Sequence, residues 1–386
     1  MSQATDTTFD QLSSTLKSQG ANEALEQLAT QLRQEKRYHE LFDTRLMQSR
    51  LRAGVSVIAT QALDELPEDK RNQVEEGYLA ACREIGQQLL NDGQLREAWM
   101  YLRPLGEKQA VATALRQLSP DDHYDTILQI ALYEGVDPRY GFELLLENQG
   151  TCNAITTFDS DMHNRPKAER QAVASLLIDR IHDDLLTSLK LDIKRQEGSE
   201  PRESSIAELV ADRDWLFTND NYHIDTSHLS SVVRFALVIE DPATLRKAAD
   251  LTAYGKQLSP QLQYAGEQPF GELYPSSELF FRAQLGEKVD EALAFFKEAA
   301  LRDAEEGDFN SAEVYVGLLT RMKRYADAMD ALSQLIPAGA RLSGFAPSLL
   351  ELAQMGQLHD KLMSICRERG DVIGFTAGLI DQQRAK

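Results

Sequence analysis

"GDFNSAEVYVGLLTRMKRYADAMDALSQL", residues 307–335, decides the fold. Phe309, Ala312, Val316 and Leu319 return at steps of three and four, and so do Tyr325, Ala328, Leu332 and Leu335. That spacing keeps apolar side chains on one face of a helix with 3.6 residues per turn. Two amphipathic helices are predicted, each burying one stripe. Stacked neighbours must supply the other side of each stripe.

The same spacing recurs outward from this stretch. Val289, Ala292, Phe296 and Ala299 form one stripe; Leu95, Ala98, Leu102 and Leu105 form another. Ala21, Ala24, Leu28 and Leu32 form a third. Alternating strand patterns are nearly absent, so the expected fold class is all-α.

Four helices share a starting formula: a turn residue, one spacer, a large apolar residue, two polar residues, then a small or apolar one. It reads "GDFNSA" at 307–312, "KRYADA" at 323–328, "GQLREA" at 93–98 and "KRYHEL" at 36–41. This resembles the second helix of tetratricopeptide (TPR) repeats, in which glycine turns the chain and alanine lets helices approach. The period here is irregular, and the full Trp–Leu–Gly–Tyr–Ala–Phe–Pro pattern never falls in one unit. The resemblance covers roughly the first and last hundred residues. It implies a TPR-like α-solenoid, a right-handed array of antiparallel helix pairs whose concave groove binds peptides or proteins.

The middle is different. Residues 165–196 read as one long helix with Pro166 in its first turn. "EGSEPRES" at 197–204 reads as a loop, and 225–240 as a central helix capped by Asp, Thr or Ser and apolar nearly all round. Residues 259–277, with three Pro and two Gly, read as the longest irregular segment. Three sections follow: repeats over 1–118, a central helical section over 119–258, and a loop with further repeats over 259–386.

The 386 residues carry 41 Lys+Arg against 61 Asp+Glu, a formal charge of −20. Such a chain repels nucleic acid and anionic membrane surfaces. No apolar run approaches the roughly 20 residues a membrane span needs. Three scattered cysteines without a CxxC pair, and a start lacking a basic and an apolar region, point to the cytoplasm.

"DDHYD" at 121–125 matches the DDxxD pattern with which helical terpene synthases hold magnesium. No proper second metal motif accompanies it, and aromatics are only 7%. Ser119 as cap and Pro120 at the first helical position instead make Asp121, Asp122 and Asp125 the acidic first turns of an ordinary helix.

Four residues are candidates for binding a ligand: Cys152, Asn153 and His163, in the polar stretch 150–163, and Arg234. Arg234 stands in "SVVRFALV", a run apolar on every side, so it is expected to be buried against a carboxylate or a ligand anion. His182, Asp225 and His228 are candidate metal ligands, if their helices face each other. His39, His123 and His359 are expected on solvated faces. GxGxxG, GxxxxGK[ST] and GxSxG are all absent. No cofactor and no catalytic residue is named by the sequence. The expected function is a scaffold or adaptor preferring basic or amphipathic partners. The alternative is an all-helical enzyme or metal-ligand binder with a central pocket, terpene-synthase-like chemistry standing third.

Overall fold

The computed structural model describes residues 3–58 and 62–384. Helices dominate, and the described residues contain no β-strand, only one bridge between Ala265 and Glu272. The chain divides into two compact units, Met1–Asn148 and Gln149–Lys386. That boundary falls inside the section expected over 119–258. No helix among the described residues is long and apolar enough to cross a membrane.

The first unit holds α1 (Gln3–Gln19), α2 (Ala21–Gln34), α3 (Tyr38–Arg52), α4 (Glu68–Asn91), α5 (Leu95–Leu102), α6 (Lys108–Leu115) and α7 (Pro120–Leu128). From α1 to α6 each helix packs on the next. Then α8 (Pro138–Asp161) runs across the unit boundary and is broken at Gly150. There φ is 81° and ψ is 174°, a conformation essentially reserved for glycine.

The second unit holds α9 (Lys167–Glu197), α10 (Ile206–Ala211), α11 (Thr226–Phe235), α12 (Pro242–Gly255), α13 (Leu273–Gln284), α14 (Val289–Glu305), α15 (Asn310–Arg321), α16 (Tyr325–Leu335), α17 (Leu349–Gly356), α18 (His359–Arg369) and α19 (Val372–Arg384). Helices α10, α11 and α12 all pack on the long α9. From α12 onward each helix packs on its successor, and α14 also meets α16, as α16 meets α18.

One turn device explains this adjacency. Lys36, Gly93, Gly307 and Lys323 all have positive φ, between 56° and 83°. In each case the next residue's N–H reaches back five positions to a carbonyl: Arg37 to Leu32, Gln94 to Leu89, Asp308 to Asp303 and Arg324 to Leu319. The left-handed residue ends one helix and satisfies its last carbonyls, and the next helix starts two or three residues on. The last residue of each formula, Leu41, Ala98, Ala312 and Ala328, is 0% exposed. The formula therefore marks where one helix is pressed against its predecessor, and small residues there permit close approach.

Three expectations change in detail. Pro166 precedes α9 instead of lying within its first turn. The segment expected to be irregular over 259–277 ends at Glu272, because Pro275 sits in the first turn of α13, where its missing N–H costs nothing. Ser119 takes the cap position of α7 with extended backbone, but its side chain makes no capping hydrogen bond.

Candidate functional site

Helix α9 is held by two histidine–aspartate pairs. His182 Nε2 lies 2.9 Å from Asp250 Oδ2 on α12. The same carboxylate accepts the backbone N–H groups of Ile206 and Ala207, both at 2.7 Å. Ser205 takes the N–H of Glu208 in a capping box, so three orphan donors at the start of α10 are satisfied. In the second pair, His223 Nε2 lies 3.2 Å from Asp192 Oδ2. The Tyr254 hydroxyl accepts the His223 backbone N–H at 2.7 Å and lies 3.2 Å from Nδ1. Tyr254 is fully buried, and burial pushes its hydroxyl well above the ordinary tyrosine value. With its phenol sealed in the core, this Asp–His–Tyr chain ties a loop to α9.

His182, Asp225 and His228 are not gathered. His182 is engaged by Asp250. Asp225 caps α11, accepting the N–H groups of Ser227 and His228 at 2.9 and 3.1 Å. The Ser227 hydroxyl bonded to it, outweighing partial burial, holds its carboxyl below the usual value. Among the described residues no three His, Cys, Asp or Glu side chains are arranged to hold a metal ion.

The 150–163 stretch is helical up to Asp161, and its polar groups turn inward on their own backbone. Asn153 Nδ2 donates to the Gln149 carbonyl at 3.0 Å, and Thr156 Oγ1 donates to that of Cys152 at 3.0 Å. Cys152 and His163 are exposed, the His163 ring pairing with neighbouring Asn164 at 2.7 Å. Asp121, Asp122 and Asp125 are exposed too; the first two lie in the first turn of α7, which is kinked at His123 (φ −128°, ψ 16°) and so is less regular than the ordinary helix start expected. His359 departs from its expected solvated face: it is buried, 3.7 Å from Asp381.

Arg234 corrects the sequence reading most clearly. It is exposed and bonds Ser231 Oγ, at 3.1 Å. Val232, Val233, Phe235 and Ala236 are buried beside it, but Ser231 and Arg234, three apart, share the outer face of α11. Arg321, at the end of α15, instead has its side chain enclosed, 8% exposed. Its Nη1 donates to the carbonyls of Leu237 at 2.7 Å and Ile239 at 3.5 Å. These end the helical stretch that begins with α11, and their lone pairs would otherwise be orphaned. The guanidinium also lies over the rings of Phe280 and Phe345, at 5.0 and 4.9 Å. Burial pushes Arg321 down to about 10, against the pull of Glu240, so it stays charged at neutral pH.

Two clefts of the second unit adjoin along Ser343 and Phe345. One, of about 640 Å³, is lined by the cations Lys167, Arg170, Arg321 and Lys323 and the acids Glu240 and Glu351. The other, of about 720 Å³, is lined by Arg234, Asp159 and Phe270 among others. Ser343 is fixed by Glu313, whose carboxylate takes its N–H at 2.7 Å and its hydroxyl at 2.9 Å. Of the candidate ligand and metal residues read from sequence, Arg234 lines one of these clefts and the others line neither. No local pattern marked Arg170 or Arg321, because their surroundings come from distant segments. Comparison of the chain with models of protein families, with curated proteins and with solved structures finds no match.

Proposed function

We propose that this chain is a TPR-like helical-repeat adaptor that binds a basic or amphipathic segment of a partner protein in the cytoplasm. The observation that carries the reading is the repeated turn device, with a left-handed residue, a backbone bond reaching back five positions and a fully buried sixth residue at each formula. It stacks sequence-adjacent helices, which is how repeat arrays build extended binding faces. The charge of −20 favours cationic partners, and three free cysteines suit a reducing compartment.

The test is fluorescence anisotropy with two sets of labelled peptides of equal length, one basic and amphipathic, one acidic. Saturable binding of the basic set that weakens with salt is expected. Absence of saturable binding in that set overturns the reading. A second reading, a helical protein holding a small ligand, draws on Arg234 and Asp159 lining one cleft.

A further inference from the structure

The cleft beside Arg321 has a charge balance opposite to that of the whole chain. Four cations and two carboxylates line it, a surplus of two positive charges on a protein of net −20. The two carboxylates are already engaged. Glu240 pairs with Lys167 and lies 3.5 Å from Arg321 Nε. Glu351 takes the N–H and hydroxyl of Ser348 at the start of α17, at 2.8 and 2.7 Å.

The cations are less fully matched. Arg170 lines the cleft, and among the described residues its buried Nε has no hydrogen-bond partner. Among the described residues the hydrogen bonds of Arg321 leave from Nη1, which leaves Nη2 for another acceptor. Lys323 stands exposed at the rim. Guanidinium groups offer fixed forks of donors that match oxyanions bidentately. A carboxylate would cancel one of the two surplus charges; a phosphate monoester carries nearly two at neutral pH.

We propose that this cleft, between Arg170, Arg321 and Lys323, is a binding site for the phosphoryl group of a small molecule. The inference does not rest on the adaptor reading, and each can fail alone. Its test is calorimetric titration of the full chain with inorganic phosphate, alongside acetate at matched ionic strength. Saturable phosphate binding is expected, with acetate weaker. Arg170→Gln and Lys323→Gln should each weaken phosphate by about tenfold or more, as loss of a charged hydrogen bond implies. Lys323 is exposed, so its substitution tests the site even if Arg170→Gln disturbs packing. No saturable phosphate binding overturns the proposal. So does equal affinity for acetate, or unchanged affinity in the Lys323 variant and in a folded Arg170 variant.

Discussion

Asp250 and His182, 68 positions apart in sequence, meet at 2.9 Å, and the same carboxylate closes the start of α10. One side chain thereby joins three helices. Asp250→Ala removes a helix cap and leaves a nearly buried histidine without its partner. Loss of a cap costs about 1 kcal/mol, and an unsatisfied buried group about 1–3 kcal/mol. A loss of roughly 2–4 kcal/mol in urea unfolding is expected, larger than for a surface aspartate such as Asp121 replaced in the same way.

Gly150 breaks α8 with φ 81° and ψ 174°, and a Cβ added there would meet nothing within 4 Å. Gly150→Ala therefore isolates backbone strain, on the order of 1–3 kcal/mol. At Gly307, φ is 83° in a left-handed turn that asparagine tolerates. Gly307→Asn should cost clearly less than Gly150→Ala in the same denaturation experiment.

Glu278 on α13 is nearly buried and holds Lys256 and Arg282, the latter at 2.7 Å. Burial alone would raise its pKa, but hydrogen bonds from Lys256 and Arg282 outweigh it and leave it below the ordinary 4.5. A depressed carboxyl stabilises the fold fully above its unfolded value, and this is lost as pH falls through the folded value. Glu278→Gln should therefore cost about 2 kcal/mol near pH 7. The gap from the parent protein should hold down to pH 4.5 and close below it. Urea midpoints across that range measure it.

Cys82 and Cys366 are buried and burial pushes both thiols up, while Cys152 is exposed. A thiol reagent at neutral pH should modify one cysteine per folded chain, at Cys152, and three after unfolding, read by mass spectrometry. Rapid modification of all three in the native protein would contradict this burial pattern.

The helices were legible in the sequence because their information is local. A period of 3.6 brings Ala98, Ala312 and Ala328 to the buried face whatever lies opposite, and all three are fully buried. A left-handed turn residue acts only on the few residues around it, so Lys36, Gly93, Gly307 and Lys323 could be read from the formula alone. The candidate site was not legible in this way. Arg234 was expected inside because its neighbours are apolar, yet a single helix face decided its exposure.

Sequence by itself determined the all-α class, the apolar stripes of several helices and the four turns that share one formula. Tertiary structure alone decided which polar side chains are enclosed and with what. Arg321 is buried because the Leu237 carbonyl, 84 residues earlier, needs a donor, and Phe280 and Phe345 offer their ring faces. His182 is a fastening because Asp250 arrives from α12. The reason is physical: helix formation is governed by neighbours three and four residues away, whereas a buried charge is governed by whichever distant groups the packing brings within about 3 Å.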